Sequence, residues 1–287
     1  MPTLSLVLAT YGRAEPLQQL IQSLVTQTSS DFELIVVDQN HDERVVPYIE
    51  QAQRSGISAV HVRMAQPNLS AARNLGTQRA NGNFIAFPDD DCWYEPQVVE
   101  AVLAALASHA DWHGVMAQWV EQSQAHGGQP AAPLLSNANW RRYRDGDASS
   151  ISLFIKADLL RQLGGFDVRL GVGQWFGAGE ETDLILAALA AGARLARCPT
   201  ARVHHRFVGQ TQAQAVMSWQ SALRRSRGTG ALYIKHRLAP AVILRGLLAP
   251  PVKALWPWRG GHALGLALAT SAGRLQGALA WLLGRHS

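Results

Sequence analysis

The chain has 287 residues, a formal net charge of +5, 47% hydrophobic residues and 16% charged residues. This length suits one large α/β domain with a smaller appendage, and the apolar fraction excludes wholesale disorder. The two cysteines, Cys92 and Cys198, lie far apart, which fits a reducing compartment better than a disulfide scaffold.

Strands and helices alternate along the first 108 residues. Apolar runs predict buried strands at residues 4–9, 33–37, 59–62 and 83–87. Apolar residues at helical spacing predict helices at residues 15–27, 43–56, 70–80 and 95–108, with Ser70 as the N-cap of the third. No basic residue precedes the first run, which we therefore interpret as a strand rather than a secretory signal. The alternation predicts a mostly parallel sheet covered by helices.

The second half is less regular. The sequence predicts a long loop at residues 124–144, a strand at 149–155, a helix at 180–191, and short strands at 195–198 and 201–204. From residue 213 onward it predicts only helical segments, broken by Pro240, Pro250-Pro251 and Pro257. We therefore expect an α/β domain at residues 1–212 and a helical region at residues 213–287.

Polar residues directly follow three of the predicted strands, at residues 10–13, 38–40 and 89–91. Ligands of such sheets bind at the carboxyl ends of the strands, so we expect these segments to meet at one site. The last segment is Asp89-Asp90-Asp91. Three adjacent carboxylates repel one another unless water solvates them or a divalent cation gathers them. Taken alone, the triplet fits a polar turn as well as a metal site.

Six segments occur in an order that resembles the family 2 glycosyltransferases, which are inverting enzymes of the GT-A fold. The most similar segments read NLSAARNLG at residues 68–76 and ANGNFIAFPDDD at residues 80–91. The others read LATYGR at 8–13, LIVVDQN at 34–40, GGFD at 164–167 and GEETDL at 179–184. Together the six segments cover roughly residues 3–208. Their combination in this order is far more specific for the family than any single segment.

The resemblance implies a GT-A catalytic domain at residues 1–212. The implied reaction is transfer of a sugar from a nucleotide-diphosphate sugar to an acceptor hydroxyl. The basic, tryptophan-bearing C-terminal region favours a glycan or lipid-linked acceptor, and therefore polysaccharide or glycolipid synthesis. Asp38 would accept a base N–H, as a carboxylate can, and Arg73 would reach toward the nucleotide. The donor-binding residues implied by the resemblance are Thr10, Tyr11, Arg13, Asp38, Arg73 and, near the ribose, Asp90.

The resemblance also implies a Mn²⁺ or Mg²⁺ cofactor. The triplet contains the family's Asp-X-Asp motif, in which Asp91 is the favoured metal ligand and Asp89 the second. Such a cation bridges the donor diphosphate and stabilises the charge that builds as the sugar leaves. The family often has a histidine near residue 205, and the pattern favours His205 over His204 as a further ligand or diphosphate contact.

The catalytic base implied by the resemblance is Glu181, with Glu180 as the alternative. Family members commonly carry Glu-Asp here, so Glu181 adds one methylene of reach to the expected carboxylate. The base takes the proton of the acceptor hydroxyl as its oxygen attacks the anomeric carbon. Acids in the first turn of a helix also stabilise the helix dipole, which is the alternative explanation of this segment.

The C-terminal region is strongly basic, because no Asp or Glu follows Asp183. Such a region favours an anionic partner, and without a recognised nucleic-acid motif we expect a membrane surface rather than nucleic acid. A helical stripe of leucines with nearby tryptophans and basic residues is typical of a helix in a membrane interface. The stripe consists of Leu264, Leu268, Leu275, Leu279 and Leu282.

Residues 263–283 are apolar, but Arg274 and Gln276 near the middle argue against a membrane span. We therefore expect a cytoplasmic protein that is peripheral on the inner face of the membrane. The alternative is a basic helical cap that packs on the catalytic domain.

Other functions fit the sequence less well. A dinucleotide dehydrogenase is disfavoured because the first strand–helix turn has one glycine, Gly12, instead of the glycine-rich fingerprint. A nucleotidyltransferase leaves residues 180–183 unexplained. A non-catalytic, membrane-associated member that binds sugars or partners is disfavoured because both the Asp triplet and the carboxylate of Glu181 are present.

Overall fold

The computed structural model describes residues 2–120, 134–143, 149–205, 218–257 and 259–284. The strands are β1 (Leu4–Thr10), β2 (Phe32–Asp38), β3 (Ser58–Arg63), β4 (Phe84–Ala86), β5 (Cys92–Tyr94), β6 (Gly114–Trp119), β7 (Leu153–Lys156) and β8 (Leu195–His205). The helices are α1 (Leu17–Val25), α2 (Val46–Arg54), α3 (Leu69–Arg79), α4 (Val98–Ser108), α5 (Asn137–Trp140), α6 (Ala157–Gln162), α7 (Glu180–Ala190), α8 (Trp219–Lys235), α9 (Pro240–Leu255) and α10 (Gly261–Leu282).

The strands form one sheet in the order β3-β2-β1-β4-β7-β6-β8-β5. The first four strands are mutually parallel: β1 pairs with β2 and β4, and β2 pairs with β3. Strand β7 runs antiparallel to its neighbours β4 and β6, and β5 runs antiparallel to β8. The mostly parallel α/β sheet expected from the sequence is therefore confirmed.

Both faces of the sheet are buried under helices. Successive side chains of a strand point to opposite faces. Leu6 and Leu8 of β1 accordingly belong to the hydrophobic cluster that contains α1 and α4, whereas Val7 belongs to the cluster that contains α3 and α7. Strands β1 and β2 are buried on both sides, which explains their continuous apolar sequences. This packing fixes the carboxyl ends of the strands, where the polar segments begin.

Helix α3 has a different N-cap from the expected one. Asn68 is extended, and its side chain accepts a hydrogen bond from the backbone N–H of Ala71. An Ncap residue has this geometry and satisfies one unpaired donor of the first turn. The hydroxyl of Ser70 instead donates to the carbonyl of Leu170, 2.9 Å away. The prediction of Ser70 as the cap is therefore wrong.

The middle of the chain differs from the prediction at several elements. Residues 150–152 form a 3₁₀ turn before β7, so the strand predicted at 149–155 begins later. The two short strands predicted near residue 200 are one strand, β8. A register shift at Ala117 and Gln118 of β6 accommodates the residues between them. Most of the loop predicted at 124–144 lies outside the described residues, and α5 occupies part of the remainder.

The helical character of the C-terminal region is confirmed, but Pro250 and Pro251 lie inside α9 rather than ending it. A proline inside a helix removes the N–H that would bond the carbonyl four residues earlier. Those two carbonyls find donors on α10. The guanidinium of Arg274 donates to Gly246, and the hydroxyl of Ser271 donates to Leu247 at 2.6 Å. Helix α9 therefore continues through both prolines because α10 replaces the missing donors.

Helix α10 also packs tightly against α8 through small residues. A side-chain carbon on Gly273 would collide with the carbonyl of Leu223, and one on Gly277 with the carbonyl of Arg227. Among the helices of the described ranges, none has the length and hydrophobicity needed to cross a membrane. The predicted division between residues 212 and 213 falls in 206–217, outside the described residues, and stays a prediction.

The two glycines Gly265 and Gly277 of α10 test this helix packing. Alanine favours a helix interior over glycine by about 1 kcal/mol, so Gly265→Ala, which meets no atom within 4 Å, should stabilise the protein. Gly277→Ala should instead lower the free energy of unfolding by about 1–3 kcal/mol, because α8 must move away. Urea unfolding followed by circular dichroism measures both. Equal stabilisation by the two substitutions would contradict the close packing of α8 and α10.

Candidate active site

The three polar segments meet at the carboxyl ends of β1, β2 and β4. The parallel register places Thr10, the last residue of β1, beside Asp38, the last residue of β2. Strand β4 ends at Ala86, and the Asp triplet begins three residues later. The hydroxyl of Thr10 donates to Asp90 Oδ2 at 2.9 Å, which joins the first turn directly to the triplet.

Arg13 neutralises the inner part of the triplet. Its Nε and Nη2 atoms donate to Asp90 Oδ1 at 2.9 and 2.6 Å, and Nη2 also donates to Asp91 Oδ2 at 2.6 Å. Asp90 is buried, and this burial raises the pKa of its carboxyl despite the contacts with Arg13 and Thr10. Arg13 itself is half-exposed, so its guanidinium faces both the acids and the open side of the site.

Asp89, Asp91 and His205 form a cluster with the composition of a metal site. One possible ligand atom from each residue lies within 4.8 Å of the others. His205 Nε2 lies 3.1 Å from Asp91 Oδ1. Burial alone would raise the pKa of Asp91, but His205 and Arg13 lower it, and Asp91 in turn raises the pKa of His205. Two carboxylates and an imidazole are suitable ligands for a divalent cation such as Mn²⁺.

The two histidines of β8 point in different directions. The antiparallel register of β5 and β8 sets His205 opposite Cys92, the residue after the triplet, and His204 opposite Trp93. His204 stacks on the Trp93 ring with a centroid distance of 5.1 Å, and its Nε2 lies 2.9 Å from Glu95 Oε1. His205 therefore contacts the Asp triplet, whereas His204 contacts Trp93 and Glu95.

Arg73 joins the triplet to helix α7. Its side chain is only 2% exposed. Nη2 donates to Ser150 Oγ at 2.7 Å and to Asp89 Oδ1 at 3.1 Å. Nη1 lies 3.6 Å from Glu180 Oε1 and 3.9 Å from Glu181 Oε1. One buried guanidinium therefore lies between acids from two distant parts of the chain.

Glu180 and Glu181 begin α7, directly after Gly179, whose φ of +102° suits a residue without a side chain. Glu180 is 4% exposed, whereas Glu181 is 20% exposed. Burial and the neighbouring charge of Glu180 raise the pKa of Glu181 to about 7, although Arg73 opposes the shift. A carboxylate with this pKa can accept a proton near neutral pH, as a general base must.

The last acid of this segment, Asp183, binds the C-terminal region instead of facing the triplet. Lys235 Nζ lies 2.7 Å from Asp183 Oδ2 and 2.7 Å from Asp167 Oδ2. His236 Nε2 lies 2.7 Å from Asp183 Oδ1. The Phe176 ring, in the loop before α7, packs at 5.4 Å from the ring of Trp281 in α10. Helices α8 and α10 therefore pack on the segments on either side of Glu181.

Asp38 is completely buried, and neighbouring groups contact both its oxygens. The backbone N–H and side-chain amide of Asn40 donate to Oδ1 at 2.9 and 2.8 Å. His61 Nε2 and Arg63 Nη1 lie 3.0 and 3.4 Å from Oδ2. A base N–H that reaches Asp38 would therefore share these oxygens with donors that already contact them. Tyr11 is the exposed ring of this corner.

No sequence motif marks four further residues that contact the segments carrying the candidate site residues, which are Ser150, His61, Lys235 and His236. A lone serine in an irregular segment carries no motif signal, and His61 lies in an ordinary strand. The two basic residues at the end of α8 belong to a generally basic region. Cys92 and Cys198 are both buried and free.

The chain is similar to known glycosyltransferases in sequence. The profile of glycosyl transferase family 2 matches residues 5–149, just over half of the 287 residues. An uncharacterized glycosyltransferase of Haemophilus influenzae is 26% identical over 171 residues, which cover 58% of this chain. The chain spans 57% of the length of that relative.

Solved structures share the fold. Mannosyltransferase PcManGT of Pyrobaculum calidifontis, in complex with GDP-Man and Mn²⁺, has a TM-score of 0.66 at 14% identity, over 99% of this chain and 88% of that one. S. aureus TarS 1–349, in complex with UDP-GlcNAc, has a TM-score of 0.60 at 13% identity, over 99% and 92% of the two chains. These likenesses confirm the expected GT-A fold.

Removing the charge of Lys235 tests the contact between α8 and the candidate site. Lys235→Met should lower the free energy of unfolding by about 1–3 kcal/mol, because it leaves Asp167 and Asp183 with less compensating charge in a largely buried place. Arg44→Met is the control, since its ion pair with Asp42 is exposed to solvent and should contribute little to stability. Equal losses in the two variants would contradict a structural role for the Lys235 contacts.

The free energy of unfolding of Lys235→Met should also depend on pH differently from that of the unmodified protein. Arg169 and Lys235 lower the pKa of Asp167 below its ordinary value of 3.8, although burial alone would raise it. A lowered carboxyl pKa stabilises the fold above the ordinary pKa, and this stability is lost as the pH falls below it. Between neutral pH and pH 3, the free energy of unfolding should therefore fall less in Lys235→Met than in the unmodified protein.

Proposed function

Because the chain belongs to glycosyl transferase family 2, we propose that it transfers a sugar from a nucleotide-diphosphate sugar to an acceptor hydroxyl, with inversion at the anomeric carbon. One observation carries the proposal. The buried guanidinium of Arg73 lies between Asp89 of a candidate metal cluster and Glu181, a carboxyl whose pKa is raised toward neutrality. A donor site and a proton acceptor are thus adjacent, as a single displacement requires.

The donor side is assigned to the ends of β1, β2 and β4. Asp89, Asp91 and His205 would hold Mn²⁺ or Mg²⁺, and the spacing of their ligand atoms supports this assignment. A cation bound there would neutralise the donor diphosphate and favour its departure from the sugar. Arg13 is half-exposed beside these acids and is placed to contact a phosphate oxygen.

The nucleoside is assigned to the corner formed by Thr10, Tyr11 and Asp38. Tyr11 offers an exposed ring on which a base can stack. Asp90 is assigned to the ribose side of the pocket, where Thr10 and Arg13 fix its carboxylate. Arg73 is assigned to holding the acids on the inner side of this pocket, so that it acts on the nucleotide through them.

Glu181 is assigned as the base. Its carboxylate accepts the proton of the acceptor hydroxyl as that oxygen bonds to the anomeric carbon, while the bond from this carbon to the diphosphate oxygen breaks. The greater exposure of Glu181 favours it over Glu180, which lies deeper and closer to Arg73. Trp175 is partly exposed in the loop before α7, and we assign it to the contact with a glycan or lipid-linked acceptor. We assign the reaction to polysaccharide or glycolipid synthesis.

Two substitutions separate donor binding from transfer. Asp91→Ala should abolish the Mn²⁺ dependence of donor-nucleotide binding, because it removes one carboxylate of the cluster. Glu181→Gln should leave donor binding nearly intact and lower the transfer rate by about 10²–10⁴-fold, because the amide accepts no proton. Calorimetry measures the first property, and release of nucleoside diphosphate in the presence of acceptor measures the second.

Glu50→Gln is the matched control, since Glu50 is exposed on α2 and forms only an exposed ion pair with Arg54. Its binding and transfer should equal those of the unmodified protein. Full transfer by Glu181→Gln would show that the base is wrongly assigned. Failure of the unmodified protein to transfer from every donor whose nucleotide it binds would instead favour the non-catalytic alternative.

The raised pKa of Glu181 predicts the pH dependence of the reaction. The base must be deprotonated, so kcat/KM should rise as the pH increases through about 7, well above the ordinary carboxyl value of 4.5. Initial rates at saturating metal between pH 5 and pH 8 provide the measurement. A rate that is constant over this range would exclude Glu181 as the group whose deprotonation limits transfer.

A further inference from the structure

Helix α9 carries an apolar stripe that no other part of the described chain covers. Leu244, Leu248, Val252 and Leu255 follow one another at intervals of three or four residues, and each is more than half exposed. Trp256 follows at the end of the helix and is 86% exposed. The opposite side of α9 packs on α10 through the carbonyls that its prolines leave unpaired. The exposed stripe is thus fixed in orientation by the packing behind it.

Helix α10 has a second stripe of the same kind. Leu268, Leu275, Leu279 and Leu282 lie at helical spacing and are each about half exposed or more. The inner side of the helix is built from small residues, including Gly273 and Gly277, which pack against α8. Helix α10 therefore packs on α8 through glycines and exposes its larger apolar side chains, the leucines, on the opposite side.

An apolar groove adjoins the second stripe. It has a volume of about 460 Å³, and the first part of α8 and the first part of α10 form its walls. Leu268 belongs to both the groove and the stripe. Trp219 and Leu223 line the opposite wall. Large exposed apolar surfaces of this kind mark binding sites in soluble proteins.

The charge around the two stripes and the groove indicates which kind of partner binds there. No acidic residue follows Asp183 in the sequence, whereas Arg245, Lys253 and Arg259 lie exposed in or just after α9. Two copies of this region would bring positive charges together without acids to compensate them. An anionic lipid surface neutralises the same charges, with about 1 kcal/mol of attraction for each basic residue near the surface.

We propose that α9 and α10 dock on an anionic lipid bilayer, with the two leucine-rich stripes in the acyl region and the basic side chains at the headgroups. Amphipathic helices with basic polar positions and Leu or Trp on the apolar side bind membranes in this orientation. Trp256 suits the interface because its ring combines an apolar body with an N–H donor. Membrane binding through this surface does not depend on the proposed transfer reaction.

Vesicle co-sedimentation of the full chain tests this surface. We expect binding to vesicles of phosphatidylcholine with about one third phosphatidylglycerol, and at least about tenfold weaker binding to pure phosphatidylcholine vesicles. Leu248→Ser with Val252→Ser should weaken binding to the anionic vesicles by about tenfold or more, as should Leu275→Ser with Leu279→Ser. Arg245→Gln with Lys253→Gln should weaken it about tenfold and reduce its salt dependence.

Val25→Ser with Val60→Ser is the matched control, since both valines are exposed on the α/β domain, away from α9 and α10. This variant should bind like the unmodified protein, and circular dichroism should show that every variant is folded. No binding to either vesicle, equal binding to both, or equal loss in the control would overturn the proposal. Light scattering that shows a dimer dissociated by the leucine substitutions would overturn it in favour of a second copy as the occupant.

Discussion

The candidate site depends on the burial of one guanidinium among acids. Arg73 contacts Asp89 from the end of β4 and lies within 4 Å of Glu180 and Glu181 at the start of α7. Transfer of such charges out of water costs several kcal/mol per ion, which only close compensation offsets. Without the guanidinium, the two groups of carboxylates would repel each other. The same arrangement leaves Glu181 with a pKa near 7, because burial and Glu180 outweigh the attraction of Arg73. The spacing between the Asp triplet and Glu181 therefore depends on one residue, Arg73.

The C-terminal helices also help to hold the candidate site together. Lys235 joins Asp167 and Asp183, so α8 fixes both the end of the GGFD segment and the first turn of α7. Helix α10 supports α8 through glycines and supports α9 by donating to the carbonyls that Pro250 and Pro251 leave unpaired. Arg274, which in the sequence only argued against a membrane span, proves to be a structural donor. The region thus has one side bound to the candidate site and another side left exposed.

The sequence predicts much of the fold because buried parallel strands leave continuous apolar runs, and the acids that follow them mark one edge of the sheet. It places Asp38 and the triplet at strand ends for the same reason, and it places Glu181 in the first turn of a predicted helix. It does not predict contacts that arise from packing. Lys235 and Asp183 are 52 residues apart, and nothing local distinguishes Lys235 from its basic neighbours. The sequence does not distinguish Ser70 from Asn68 as the cap of α3, because both residue types cap helices. Strand β5 has only three residues, too few for a periodic signal.

The most direct test of the account is calorimetric titration of the unmodified protein with UDP, dTDP and GDP, each with and without Mn²⁺. The geometry of Asp89, Asp91 and His205 predicts that one nucleotide binds in a metal-dependent manner. That nucleotide would then define the class of donor sugars to be tried. Absence of binding to all three nucleotides in a folded sample would contradict the assignment of Asp38 and Asp91 to a donor site.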